Sequence, residues 1–395
     1  MIYLDYNATT PVDREVAAAM LPFIEEKWGN PSSSHQMGRE ARAAVETARG
    51  QVAGLLRCRP QEVVFTSGGT ESNNAVLKGV AHALRKKGRH IITSGIEHPS
   101  ILQPAIFLME NGWEVTFLPV DSYGMVDPDD VRRALRKDTV LVSIMHANNE
   151  TGTIQPVVEI GAVARGHGIY FHSDAAQSVG KVETYVEDMG VDFLTVAGHK
   201  VYAPKGIGAL YIREGAALEP LLHGAGQEGG RRAGTENVIL AVALGAACAV
   251  AARRLHDETN RQRSLRDQLF EGITSEIPDA VLNGHKDKRL PNTLNIAFPG
   301  LAGGEILDDI PGLCASTGAA CHDRSVTLSH VLAAMGVSRE VGMGAIRLTV
   351  GRYTTKEEIH RASSWIVAAV KKTKKYQFSA LKRSAKFHCR MKNAE

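Results

Sequence analysis

The sequence predicts an α/β fold: a large domain on a mainly parallel seven-stranded sheet, joined to a smaller α+β domain. Between about residues 60 and 210, seven short apolar, β-rich runs alternate with helix-patterned segments. The runs are apolar throughout rather than at every second residue, as strands covered on both faces are. Beyond residue 252 the pattern changes to a charged helical stretch followed by shorter strand-like pieces. At 395 residues the chain also exceeds one compact core and fits two or three domains.

Taken in order, EVVFTS precedes the helix of AVLKGVAHALRKK, and HIITS precedes ILQPAIFLMEN. WEVTFLPV precedes PDDVRRALRK, and TVLVSIMHA precedes VVEIGAVARGHG. IYFHSDAA, VDFLTVA and GIGALYI complete the seven strands. The run VILAVALGAACAVAA, residues 238–252, falls short of the roughly 20 residues of a membrane span and is expected as a buried packing helix. ARRLHDETNRQRSLRDQLFEGI follows as a charged helix, then the strand-like LPNTLNIAFPG and GAIRLTVGRY. The expected division is a large domain over 13–252, a small one from 1–12 and 253–370, and a flexible basic tail over 371–395.

Composition, at 44% hydrophobic and 23% charged residues, is that of a soluble globular protein. The opening MIYLDYNATT lacks the basic start and apolar core of a signal peptide, so a cytoplasmic protein is expected. Five cysteines at irregular spacing, with no CxxC pair, fit free thiols and no metal site. The net charge of +3 is local: residues 371–395 hold nine Lys/Arg and one acid, leaving a net −5 for the remainder. That tail reads as a solvated extension, with no nucleic-acid or membrane role expected.

Ligands of open parallel sheets collect at the carboxyl ends of the strands. Five of those ends carry unusual residues: SGGTESNN, EHPS, NNETG, DAAQ and GHK. Gly68, Gly69 and Thr70 stand at the entry to a helix, where unsatisfied N–H groups and partial positive charge can cradle a phosphate. The spacing is neither a P-loop nor a GxGxxG fingerprint. Asp174 ends an apolar strand, where a carboxylate needs a cationic partner. Twenty-six residues later, Lys200 follows another strand. A phosphate cradle, a strand-end acid and a later lysine suit pyridoxal phosphate, which needs an amine to bind its aldehyde and an acid to keep its ring nitrogen protonated.

The motifs DYNATTP, GNPSSSH, TSGGTESNN, EHPS, HANNETG, DAAQS, GHKVYAPKGIGAL, RAGTEN, STGAACH and IRLTVGR occur in an order and spacing that resemble the NifS/IscS-type cysteine desulfurases and the related selenocysteine lyases. The resemblance covers about residues 2–370. It implies a class V aspartate-aminotransferase-like fold, a homodimer and a bound pyridoxal phosphate. It also implies that Lys200 joins the cofactor and shuttles the α-proton, Asp174 pairs with the ring nitrogen, Gln177 bonds the ring oxygen, and His98 stacks on the ring and acts catalytically as a proton donor or acceptor. Gly69, Thr70 and His199 would hold the phosphate, with Thr235 contributing from the other subunit. Asn149 and Arg347 would hold the substrate carboxylate, the latter by bidentate geometry. Cys321 would be the nucleophile that takes sulfur from cysteine as a persulfide and leaves alanine. Cys314, in the more apolar PGLCAST, is expected as a buried thiol.

Two positions depart from the family pattern. Ala197 replaces a usual serine, removing one hydroxyl from the phosphate site. His322 after the nucleophile is similar to the selenocysteine lyases, although the length of the loop from Cys321 to Val331 resembles the long-loop desulfurases. The C-terminus differs from the family's scaffold-binding tail, so an iron–sulfur scaffold partner does not carry over. A cysteine desulfurase is therefore the leading expectation, with a sulfur acceptor protein as partner. A selenocysteine lyase acting on L-selenocysteine is the alternative, and a cofactor-free binding scaffold the third reading.

Overall fold

The computed structural model describes residues 1–317 and 327–392, with side chains through Tyr376. The chain begins in β1 (Ile2–Tyr3) and crosses to two helices, α1 (Arg14–Glu25) and α2 (Gln36–Leu56). The alternating region follows as β2 (Val63–Thr66), α3 (Gly69–Leu84), β3 (His90–Ser94), α4 (Pro99–Glu110), β4 (Glu114–Leu118), α5 (Pro128–Ala134) and β5 (Thr139–Ser143). It continues through α6 (Val157–Gly166), β6 (Tyr170–Asp174), α7 (Val186–Met189), β7 (Phe193–Ala197) and β8 (Gly208–Ile212).

Strands β2 to β8 form one seven-stranded sheet in the order β2-β8-β7-β6-β5-β3-β4. Strands β3 to β7 pair in parallel, and β5, β7 and β8 are buried along their whole length. β8 runs antiparallel to both neighbours. Only the residues from Gly198 to Ile207 separate it from β7, too short a connection for a parallel crossover. β4, on the edge, is largely solvent-facing despite its apolar sequence.

The helix α8 (Val238–Thr274) absorbs both the apolar and the charged stretch, so residue 252 falls inside it. Neither a cap nor a breaker stands near Ala252, and the helix has no reason to end there. A window of it is long and apolar enough by composition to cross a membrane, but half of that window is buried inside the protein. Ala241, Leu244, Ala247 and Cys248 pack in one core with Val45, Ala48 and Val52 of α2. Gly245 permits this approach: a Cβ there would stand 2.5 Å from Ala48 Cα. The later residues Leu265, Leu269 and Ile273 join a second core with the small lobe. One helix thus ties the two lobes together.

The small lobe contains β9 (Val281–Asn283), β10 (Thr293–Ala297), α9 (Gly303–Asp308), β11 (Leu313–Cys314), β12 (Ser316–Thr317), α10 (His330–Ala334), α11 (Arg339–Gly342), β13 (Ala345–Thr349) and α12 (Lys356–Lys392). Its sheet, β12-β13-β10-β9, is antiparallel, while β1 pairs in parallel with β11. No glycine or proline interrupts residues 356–392, and α12 accordingly runs on through the basic stretch expected as a flexible tail. Lys371 and Lys374 pair with Glu276 and Asp279, each at 2.6 Å.

Candidate active site

A cavity of about 300 Å³ opens at the carboxyl ends of the large-lobe strands. Gly69, Thr70, His98, Asn149, Asp174, Gln177, His199 and Lys200 all line it. Five separate loops converge here because a parallel sheet points every strand end the same way.

Lys200 closes the short helical turn after β7. Its amine donates to the carbonyls of Asn7 and Ala8, the latter at 2.8 Å. Burial, and then the Arg347 guanidinium, push this amine down to about 8, while Asp5 and Asp174 pull the other way. Such an amine is partly neutral near physiological pH, as a nucleophile or proton acceptor must be.

Asp174 is buried at the end of β6, but its expected cationic partner is absent among the described residues. Amide donors take that place: Asn73 Nδ2 donates to Oδ2 at 2.6 Å, and the Ala176 N–H to Oδ1 at 2.9 Å. These two bonds fix the carboxylate at the cavity wall. Sequence reasoning missed Asn73, whose only signal is its position one turn past Thr70 in SGGTESNN. Its Nδ2 also donates to Ser100 Oγ at 2.8 Å, and its buried Oδ1 has no partner among the described residues.

Ser100 continues this chain to His98, whose Nδ1 lies 2.8 Å from Ser100 Oγ. The Ser100 N–H donates to the same nitrogen at 3.1 Å, because His98 caps α4. Nδ1 is therefore an acceptor, which places the proton of the neutral ring on Nε2. Burial holds His98 below its ordinary value, with Lys200 and His330 adding to the effect and Asp174 opposing it.

At the other end of the cavity, α3 starts at Gly69 with Gly68 as its N-cap and no side-chain cap bond. Its first N–H groups are open to an anion. Across from them, a Cβ on residue 69 would stand 3.5 Å from the Ala197 Cβ. His199 is pushed down to about 4 by burial and by Lys200 and Lys205, so its ring is neutral, with Nδ1 3.2 Å from Thr9 Oγ1. Thr235 is not in this cavity but lines a second one with Thr66, Ser67 and Glu236.

Arg347, on β13 of the small lobe, does not line this cavity but meets its wall at Asn149. Its Nη1 donates to the Asn149 carbonyl at 3.1 Å, and its Nη2 to Asp5 Oδ1 at 2.8 Å and Ser316 Oγ at 3.2 Å. Its buried Nε has no partner among the described residues. Asn7, passed over within DYNATTP, is the joint between the lobes. Its Nδ2 donates to the Asn149 carbonyl at 3.2 Å and to Thr293 Oγ1 at 3.0 Å, while its Oδ1 accepts from Asn292 Nδ2 at 3.0 Å. Cys314, expected to be buried, is only partly so; among the described residues the fully buried thiol is Cys248. Cys321 lies outside the described residues.

An uncapped helix N-terminus, an unpaired strand-end carboxylate and a low-pKa amine around one cavity fit a molecule with a phosphate, a basic ring nitrogen and an aldehyde. The aminotransferase class-V family model matches residues 2–362. The chain belongs to that family. Within the class-V aminotransferases it is 50% identical over 361 residues to the cysteine desulfurase IscS of Dictyoglomus turgidum, covering 91% of this chain and 92% of the relative. To the cysteine desulfurase IscS of Methanosarcina thermophila it is 48% identical, over 94% and 92% of the two chains. A solved structure of a NifS-like protein superposes with a TM-score of 0.88 at 39% identity, covering 94% of this chain and 99% of that one. These similarities place the chain in the NifS/IscS-type group, as its motifs imply, and the cofactor of this class-V aminotransferase is pyridoxal phosphate.

Proposed function

We infer that the protein is a cysteine desulfurase, converting L-cysteine to L-alanine and keeping the sulfur as a persulfide on Cys321. The convergence of Lys200, Asp174 and the uncapped α3 N-terminus on one cavity is the observation that carries this reading. Pyridoxal phosphate, when bound, supplies an electron sink that makes the substrate α-proton acidic. The protein's own residues do the rest. The N–H groups of Gly69 and Thr70, with neutral His199, would hold the phosphate, and Asp174 would keep the ring nitrogen protonated. Gln177 would donate to the ring oxygen, and His98 would cover the ring. The unpaired N–H of Arg347 and the amide of Asn149 orient the substrate carboxylate, with Thr235 reaching the phosphate from the second subunit of a homodimer.

Lys200 accepts the α-proton and returns it. The Cys321 thiolate attacks the substrate sulfur: an S–S bond forms as the C–S bond breaks, and the bonding pair stays with the carbon, which gains a proton and leaves as alanine. Two features of the neighbourhood support Cys321 as the nucleophile. The chain places Ser316 opposite Arg347, through the pairing of β12 with β13. Beyond it, Ser329 Oγ donates to Glu150 Oε2 at 2.5 Å, next to Asn149. We also infer a cytoplasmic location and a protein acceptor for the sulfur. The named relatives are desulfurases, so the selenocysteine lyase reading drawn from His322 is not favoured.

The test is to supply L-cysteine and L-selenocysteine in parallel and measure alanine with sulfide or selenide, for the parent and for Cys321→Ala. Loss of the cysteine reaction in Cys321→Ala, with the cofactor still bound, is expected. A variant that desulfurates cysteine normally would refute the assignment.

A further inference from the structure

Four residues beyond Gln177, the same turn buries a lysine that none of this chemistry uses. Lys181 is 7% exposed and makes no ion pair among the described residues. Its amine donates instead to Gln177 Oε1 at 3.2 Å and to Asn7 Oδ1 at 3.4 Å. A buried ammonium without a carboxylate is costly where a methionine would pack at no such cost. The backbone nevertheless holds it inward. Gly180 turns the chain at φ +75°, and the Lys181 carbonyl accepts from Thr259 Oγ1 of α8 at 2.7 Å.

A side-chain amide can present either its oxygen or its NH2, and its neighbours decide which. Facing a lysine, which donates, both Gln177 and Asn7 must turn their oxygens inward. Gln177 Nε2 then donates to the Asn7 carbonyl at 3.0 Å, the carbonyl that also accepts from Lys200. Its second N–H is left for the cavity. Burial, Lys200 and Arg347 lower the Lys181 amine to about 7, but two N–H bonds suffice for two oxygens, so the arrangement does not depend on the third proton.

We propose that Lys181 is a positioning residue for the cofactor ring: it locks the Gln177 amide so that an N–H, not the carbonyl oxygen, faces the ring oxygen. The proposal rests on the placing of Gln177 against the ring given above. Without the lock only the Asn7 carbonyl orients the amide, its oxygen turns toward the ring more often, and the donor is weakened.

The readout is the visible absorption of the purified holoenzyme titrated against pH, with no substrate present. Donation to the ring oxygen favours its anionic form, so losing the donor moves the spectral transition to higher pH. Lys181→Met should raise the midpoint by about one unit. Gln177→Ala should do the same, and the double variant should add nothing further. Lys200, Arg347, Arg254, Glu258 and Arg352 are the charged groups acting on the amine or lining its small cavity, and all stay unchanged. Lys181→Gln, a buried amide that need not donate, gives a second test should the methionine variant not fold, with a shift of the same sign. A Lys181→Met titration that overlays the parent while Gln177→Ala is shifted would overturn the proposal. An unshifted Gln177→Ala would overturn the placing of Gln177 itself, and the proposal with it.

Discussion

Capture of pyridoxal phosphate by the apoprotein should follow the titration of Lys200, because only the neutral amine attacks an aldehyde. An ordinary lysine near 10.4 is neutral in about one molecule in a thousand at pH 7.5. With its amine lowered to about 8, Lys200 is neutral in about a quarter, a gain of about two-hundredfold. The capture rate, followed by visible absorption and referenced to a model amine, should therefore rise with pH and level off above a midpoint near 8. Arg347 is the second cause of the lowering, after burial. Arg347→Gln removes a like charge, favours the protonated amine and should move the midpoint up. Asp5→Asn removes a charge of the opposite sign and should move it down. A parent midpoint near that of free lysine, or an Arg347→Gln midpoint that falls, would refute the reasoning.

Three further changes have outcomes set by the same geometry. Ala197→Ser restores a hydroxyl beside Gly69, and one added bond to a phosphate, worth about 1.5 kcal/mol, should tighten cofactor binding about tenfold in equilibrium titration. Asn73→Ala strips the 2.6 Å donor from Asp174 and should cost about 1–3 kcal/mol in urea unfolding, more in the apoprotein than in the holoprotein, whose ring nitrogen supplies a replacement partner. Arg49→Met breaks a buried pair in which Arg49 Nη1 meets Glu228 Oε2 at 2.6 Å. With the Glu228 charge left uncompensated, unfolding should cost about 3–5 kcal/mol less, with the spectrum of bound cofactor unchanged.

Much of the fold is legible in the sequence because a doubly covered strand must be apolar along its length, and the runs of the buried strands stand out, β4 at the edge being apolar without that cover. β8 and α8 are less so. The direction of β8 depends on a short connection rather than on its own composition, and the switch from apolar to charged near Ala252 marks a change of surroundings along one unbroken helix. The site residues that can be read are those whose chemistry is conspicuous at a strand end, Lys200, Asp174 and His98. Asn73, Asn7 and Lys181 are hidden for a physical reason: an amide or a lysine has no preferred role until its partners are known. Those partners lie far away along the chain, as Thr293 and Asn292 do for Asn7. Asp174 illustrates the same limit. Its need for a cation is foreseeable, whereas the donors that orient it, Asn73 Nδ2 and the Ala176 N–H, are a property of packing.

The central claim is that sulfur leaves cysteine by transfer to Cys321. Incubating the holoenzyme with L-cysteine, alkylating the product and locating the modified residue by mass spectrometry tests it directly. A persulfide on Cys321, with one alanine formed per persulfide in a single turnover, is the predicted result. Alanine formed without any persulfide on Cys321, or a persulfide carried instead by Cys314, would contradict it.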